Sequence, residues 1–554
     1  MALLFVYTLF QVYGPALSGP FIYDDFSLPF YKTGFDSSQF TAWISGVRPL
    51  LMLSYWVNFE LSGRYSFSYH LLNLLIHLLN SFLVFLIAKR LLMRIQICAQ
   101  RELAAMFVSA LFLLHPIQTE SVAYVAGRSE LLSAFFFLSA FAIFLRDAPA
   151  GVGWPRSASI TVLFLCALAT KEHAVTLPVL LMITDIYAPT DSGVSSVRRN
   201  WRLYLPLLAG GIAAAVLIVA LLDKSTTVGV TGTGVSCWTY FLTECRVFWL
   251  YARLLIVPVG QNFDHDISWA SCALDAATLA SILAILALAA LAWRFRKRFP
   301  LACYGLLVFA LLLAPTSSFI PIKDAAAERR LYLPMLGFGL MACEAVARLS
   351  PERKWRLAAM GACLAIASMA TYLRSSVWSS EAALWEDTIA KSPNKVRDYG
   401  HLVHGLVLEH RCREALRRLN DVSQRIQPDA ALLSHWSFAY ECVDDPAHAL
   451  EKLQESAKLL PWPSTYFNIA RHQLTLNRLQ DAIDALGRAL QLNPKLESAY
   501  LMRASILERE GDLVAAAEDY REALRVNPQD ESASRHLQRV KQVWRTLHYL
   551  HPAQ

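Results

Sequence analysis

Long apolar runs alternate with short polar loops through the first two-thirds of the chain and then stop. Runs near the length a bilayer requires, about 17–25 residues, fall at 2–17, 70–91, 103–116, 129–146, 158–171, 174–188, 203–222, 274–293, 301–315, 331–348 and 357–373. Each is predicted to be a membrane helix. A further apolar segment, 237–258, contains Glu244, Arg246 and Arg253, which are costly at bilayer depth. It is expected to re-enter or to lie along the outer surface, leaving eleven crossings. Residues 1–373 therefore read as a polytopic helical membrane domain. Residues 374–554 contain no run long enough to span and are rich in Arg, Glu, Asp and Gln.

That polar part repeats. Pro393, Pro428, Pro461, Pro494 and Pro528 recur every 33–35 residues, the period of tetratricopeptide repeats. Tyr466, Ala470, Ala482, Leu486 and Ala489 of one unit are matched by Tyr500, Ala504, Ala516, Tyr520 and Ala523 of the next. Small residues at these places let two helices approach closely. The prediction is an all-α chain: a helical membrane domain followed by an α-solenoid of about four repeats and a capping helix. Such arrays bind extended peptide or protein.

Composition agrees. The 554 residues are 55% hydrophobic and 17% charged, whereas a soluble protein has nearer a quarter charged residues. The net charge of +7 does not indicate nucleic-acid binding. Its Lys and Arg gather in "AKRLLMRIQICAQR" (88–101), "RRNWR" (198–202), "RFRKR" (294–298) and "RLSPERKWR" (348–356), loops that the positive-inside rule assigns to the cytoplasm. The ten cysteines are scattered without a CxxC pair and are expected to be small buried hydrophobes, not a zinc site or a disulfide framework. The first apolar run lacks a basic n-region and is expected to be a retained helix.

A cytoplasmic N-terminus and eleven crossings put the repeats on the non-cytoplasmic side. The acids, histidines and cations of the other loops then converge on that outer face. Foremost is "GPFIYDDFSLPFY" (19–31), with adjacent Asp24 and Asp25 where the first helix leaves the bilayer. The face also collects Arg48, His115, Glu120, Arg128, Glu130, Lys171, Glu172, Glu328, Arg329, Arg330 and the "DHD" of Asp264, His265 and Asp266. His70, Asn73, His77 and Asn80 form one helical stripe. These polar groups either bond between helices or, for His70 and Asn73, line a site. The segment 40–61, broken by Arg48-Pro49, is expected to lie at headgroup level.

The pieces "FIYDDF", "RPLLMLSYWVNFEL" (48–61), "HLLNLLIHLLN" (70–80), "HPIQTESVAYVAGRSELLS" (115–133), "KEHAV" (171–175), "NFDHDIS" (262–268) and "AERRLYLPMLGF" (327–338), in this order, resemble the transmembrane and tetratricopeptide repeat-containing O-mannosyltransferases (TMTC). Those are glycosyltransferases of GT-C architecture with bacterial relatives. The resemblance implies transfer of a sugar, mannose by family default, from a polyprenyl- or dolichyl-phosphate donor to a Ser or Thr hydroxyl of a protein acceptor recruited by the repeats. It also implies that a first-loop Asp is the base or a metal ligand, with Asp25 slightly preferred over Asp24. Arg128, Lys171, Arg329, Arg330 and Arg48 are the donor-phosphate cations to test. His70, Asn73, His115, Glu120, Glu130, Glu172 and Glu328 would line the site. A divalent metal is an open cofactor, with Asp264, His265 and Asp266 its candidate ligands. The expected location is a bacterial inner membrane with periplasmic repeats, or the endoplasmic reticulum with lumenal ones. The competing readings are a non-catalytic membrane scaffold and a transferase acting on lipid or glycan acceptors.

Overall fold

The computed structural model describes residues 2–31, 40–44, 46–95, 100–146, 151–187, 193–222, 233–349 and 352–550. Parts of the predicted basic loops, 96–99 and 350–351, lie outside the described residues. Among those described there is no β-strand, and the chain divides into two compact units, Met1–Ser392 and Pro393–Gln554.

In the first unit, Ser66–Ile95, Val125–Phe144, Ala276–Phe295 and Arg353–Val377 are long and apolar enough to cross a membrane. Arg101–Leu114 with Pro116–Ala123, bent by 47°, makes a fifth if it is one span. Trp154–Leu168 and Pro300–Leu313 are apolar but shorter. Cys237–Ile256, the segment with Glu244, Arg246 and Arg253, is a continuous helix that buries Tyr240, Glu244, Tyr251 and Leu254. The core is a large apolar cluster running from Leu9 to Met360.

Small residues set one close helix crossing. Gly305 of Pro300–Leu313 faces Gly337 of Met335–Leu349, and a Cβ on Gly337 would lie 2.7 Å from the Phe309 amide nitrogen. Glycine-to-glycine approach of this kind trades side-chain bulk for backbone contact, as membrane helices do.

The chain between the first and second long helices forms a satellite core. Phe21, Leu28, Phe30, Trp43, Leu51, Tyr55 and Tyr69 pack together with Val125. The segment 40–61 becomes the helices Phe40–Ile44 and Pro49–Ser62, with Pro49 at the first turn of the second, where its missing N–H costs nothing. The satellite fixes the turn that bears Asp24 and Asp25.

The second unit is a stack of helix pairs: Val396–Leu408 with Cys412–Ser423, Ala430–Cys442 with Pro446–Leu459, Pro463–Thr475 with Leu479–Leu492, and Glu497–Glu510 with Leu513–Val526. Glu531–Leu550 covers the end. Ala470, Ala482, Leu486, Ala489, Ala504, Ala516, Tyr520 and Ala523 are buried. Two of the cysteines expected to be isolated are joined: Cys412 and Cys442 form a disulfide with Cα atoms 5.7 Å apart. They are 30 residues apart, nearly one repeat, so stacking successive units brings the start of one helix beside the end of the next.

Candidate active site

The sequence GPFIYDDFS cannot continue the first helix past Gly19-Pro20, and it closes instead into a 3₁₀ turn, Tyr23–Ser27. Tyr23 enters with φ of 49°, the left-handed region that costs a non-glycine residue about 1–2 kcal/mol. Its ring is held in place between Phe263 and Trp385, with centroids 5.8 and 6.0 Å away. Two neighbouring acids then take different environments.

Asp25 is buried, and both its oxygens accept backbone donors: Oδ2 from the Ile22 N–H at 3.0 Å and Oδ1 from the Ala126 N–H at 2.8 Å. It ties the turn to the start of Val125–Phe144. Burial pushes its carboxyl up to about 8, against the pull of those two N–H donors. Asp24 is exposed, and its own N–H donates to the Tyr124 hydroxyl at 2.9 Å. Tyr124 stands in the quoted segment 115–133, but nothing in the sequence marks it as the support of this acid.

The cations divide as well. Arg128 is fully buried; its Nε donates to Asn73 Oδ1 at 2.9 Å, its Nη2 to Asn58 Oδ1 at 2.8 Å and to the Tyr69 carbonyl, and its Nη1 to the Ser54 carbonyl. Its guanidinium also lies 4.5 Å from the Tyr55 ring centroid. These partners are uncharged and come from two helices, Pro49–Ser62 and Ser66–Ile95, so Arg128 clamps the satellite core to the long helices. Arg330 is similarly absorbed by the 316–325 loop, donating to the carbonyls of Ala325 at 2.7 Å and Asp324 at 2.5 Å.

Three cations remain partly open, each facing an acid. Arg48 meets Glu172 through two parallel bonds of 2.9 Å. Burial raises the Glu172 carboxyl, but Arg48 more than offsets it and holds it below its usual range. Lys171 bonds to Glu130, which also has His173 Nδ1 at 3.6 Å. Arg329 Nη1 donates to Glu120 Oε1 at 2.6 Å, and the Arg329 N–H to the other oxygen. The Arg329 side chain is 25% exposed. Desolvation works against its charge, yet Glu120, Tyr124 and Asp24 together raise its affinity for the proton.

The remaining predicted residues are structural in their contacts. His70 Nε2 bonds to the Gly19 carbonyl at 3.0 Å, Asn73 Nδ2 to that of Tyr124 at 3.0 Å, and His115 Nε2 to that of Leu255 at 3.0 Å. Glu328 is the hub of the 261–266 loop, accepting from Gln261 Nε2, the Asn262 N–H and His265 Nε2. Burial pushes its carboxyl up, but the His265 bond and the Arg374 charge pull it below its usual range. His265 thus faces Glu328, while the Asp266 N–H bonds to Ser392. The three residues of "DHD" do not converge, and among the described residues no group of three or more His, Cys, Asp or Glu is placed to hold a metal ion.

An apolar helical unit with a buried charge network at one acid-bearing turn, continued by a repeat array, defines a class: membrane-type helical proteins with tetratricopeptide arrays. Residues 467–531 match the Tetratricopeptide repeat family model. Within that class the chain is similar to the protein O-mannosyl-transferase TMTC3 of Homo sapiens, at 25% identity over 87% of this chain and 57% of the relative. The protein O-mannosyl-transferase F38B6.6 of Caenorhabditis elegans is 24% identical over 70% of this chain and 57% of that protein. The chain thus spans little more than half the length of these relatives. A crystal structure of MamA is 21% identical, covering 25% of this chain and 81% of its own, with a TM-score of 0.24. The resemblance to the TMTC proteins extends over most of the chain.

Proposed function

We propose that the chain is a polytopic membrane glycosyltransferase that moves a sugar, mannose by analogy with its named relatives, from a polyprenyl-phosphate donor to a Ser or Thr hydroxyl. The single observation behind this reading is the division of the acid pair: an exposed Asp24 beside a buried Asp25 that holds its turn. Asp24 is the base, reversing the slight preference for Asp25. The acceptor oxygen bonds to the anomeric carbon, the bond from that carbon to the phosphate oxygen breaks, and the hydroxyl proton passes to the Asp24 carboxylate. Arg329, with Lys171 and Arg48, meets the charge that develops on the departing phosphate. Arg128 and Arg330 are left out because their donors are occupied within the protein. The repeats recruit the protein acceptor, and the reaction faces the non-cytoplasmic side. The Cys412–Cys442 bridge supports that side, since disulfides persist in oxidising compartments.

The test is label transfer by the purified full chain in detergent, from a panel of polyprenyl-phosphate sugars to protein acceptors. Asp24→Asn is expected to lower transfer by about 100-fold or more with an unchanged melting temperature. Asp25→Asn is expected to lose about 1–3 kcal/mol of stability, because an amide presents N–H groups to N–H donors. Full activity in Asp24→Asn would remove it as the base. Label on lipid or glycan instead of protein would reassign the acceptor.

A further inference from the structure

Within the repeat array, a cavity of about 260 Å³ opens between the second and third helix pairs. One wall is the end of Ala430–Cys442 and the turn after it, with Glu441, Asp444 and Asp445. The other is the end of Pro463–Thr475, with Arg471, His472 and Thr475. The disulfide at Cys442 ties the acid-bearing wall to Cys412, so that wall is held in place before any ligand arrives. The volume is under the range of about 300–1,000 Å³ usual for small-molecule sites, which suits one long side chain.

The three acids differ in what the fold asks of them. Asp445 caps Pro446–Leu459, accepting the His448 N–H at 3.1 Å, and its other oxygen lies 2.6 Å from His448 Nδ1. Asp444 holds the left-handed position, φ 60°, that His410, Asn477 and Gly511 hold in the other repeats, so the turn needs no carboxylate there. It is exposed, and among the described residues its side chain has no hydrogen bond or ion pair. Glu441 meets Arg471 at 2.6 Å, but these side chains are 38% and 40% exposed, and ion pairs this open contribute little.

His472 is the buried member. It is 4% exposed and lines the cavity, yet its ring makes no hydrogen bond among the described residues; Glu441 Oε2 stands 3.9 Å from its Nε2. Burial lowers the ring's affinity for a proton, against the pull of Glu441, which leaves a neutral imidazole with one bare nitrogen. Thr475 donates its hydroxyl proton to the Arg471 carbonyl at 3.1 Å and keeps its lone pairs. The Arg471 guanidinium is turned to Glu441 and Asn468. What faces the cavity is therefore chiefly acceptor and negative, beside the apolar Leu474 and Pro446. A phosphate or carboxylate would be repelled. A metal ion is not indicated, since among the described residues no three His, Cys, Asp or Glu are placed to hold one. A basic side chain matches both features, its charged head at the carboxylates and its aliphatic stem along Leu474 and Pro446.

We propose that this cavity takes the arginine or lysine side chain of an extended peptide bound by the array, with Asp444 and Glu441 holding its charge. His472 and Thr475 accept from the N–H groups that remain. The assignment concerns the array alone and does not depend on glycosyl transfer. Where the array recruits an acceptor, it adds the requirement of a basic residue in that acceptor.

The test is peptide binding by the full chain in detergent, read by fluorescence polarisation, with melting temperature recorded alongside. The probes are labelled Ser/Thr-rich peptides that carry one arginine, one lysine or, as the neutral control, one glutamine at the same place. Wild type is expected to bind the two basic peptides about 10-fold or more tightly than the glutamine peptide, the scale of one hydrogen bond to a charged group. Asp444→Asn and Glu441→Gln should each remove most of that preference. Asp444→Asn should melt no lower than wild type, because asparagine suits the left-handed position. Glu518→Gln, at an exposed acid of Leu513–Val526 outside the cavity, should keep the preference. Equal binding of basic and neutral peptides by wild type overturns the proposal, as does a preference that survives in both cavity variants or is lost equally in Glu518→Gln. A wild type that binds none of the peptides overturns it too. Each of these outcomes leaves the glycosyltransferase reading standing, since label transfer tests that separately.

Discussion

Two adjacent carboxylates can serve different ends only if the backbone turns between them. The left-handed Tyr23 and the 3₁₀ turn provide that rotation, aiming Asp25 inward to two amide donors and leaving Asp24 at the surface. The raised Asp25 carboxyl has a measurable consequence. Below about pH 4 both the folded and the unfolded chain hold the proton. Between there and about 8 the unfolded chain releases it while the folded one keeps it, so stability falls as pH rises through that window. Asparagine does not titrate. Melting temperatures of wild type and Asp25→Asn, taken from pH 5 to pH 8, should show the wild-type advantage shrinking as pH rises; a constant difference would mean that Asp25 does not titrate in that range. The pair itself was legible in the sequence, as were the cations that surround it. Which acid is free was not, because the Ala126 donor is 101 residues away. The role of Arg128 was hidden for the same reason: Ser54, Asn58, Tyr69 and Asn73 become its partners only once three segments meet.

At the scale of elements, turns and crossings decide which helices the chain can make. Each repeat closes its first helix with a left-handed residue: His410 at φ 59°, Asp444 at 60°, Asn477 at 56° and Gly511 at 86°. The N–H that follows each one returns to a carbonyl five residues back, as Arg411 to Leu406 and Arg478 to Gln473. Asparagine and glycine tolerate this geometry, and histidine does so at a cost. His410, exposed and left-handed, predicts that His410→Gly stabilises the array by about 0.5–1 kcal/mol in a denaturant melt. The Gly305–Gly337 crossing predicts the opposite. A methyl on Gly337 meets backbone that cannot swing aside, and Gly337→Ala should cost about 1–3 kcal/mol, read as a lower melting temperature in detergent. Apolar periodicity located most of the helices because burial, in lipid or in protein, imposes the same pattern. It could not say which short apolar helices cross: Pro300–Leu313 and Trp154–Leu168 are apolar yet too short to pass as spans by length. The disulfide escaped it because a 30-residue spacing acquires meaning only when repeats stack.

For the whole molecule, the bridge between Cys412 and Cys442 constrains topology as well as stability. In the second unit, closing a loop of 30 residues restricts the unfolded chain and is worth about 3–4 kcal/mol. Cys412→Ser with Cys442→Ser should lower the melting temperature of that unit, and adding reductant to wild type should reproduce the loss. A bridge that persists in the cell also requires an oxidising surrounding. In the proposed topology, which the positive-inside rule gives from basic loops such as "RRNWR" and "RFRKR" with the N-terminus on the cytoplasmic side, repeats outside demand an odd number of crossings. Even if fewer than eleven helices cross, parity must hold, so the bridge constrains the sum without counting each term. The measurement is thiol labelling in sealed vesicles of known orientation, with and without prior reduction. Labelling of Cys412 and Cys442 only after reduction, by a reagent confined to the non-cytoplasmic side, places the repeats with the expected outer face. Labelling without reduction from the cytoplasmic side would make the number of crossings even. It would also put the array across the membrane from Asp24, where it could not present an acceptor to that acid.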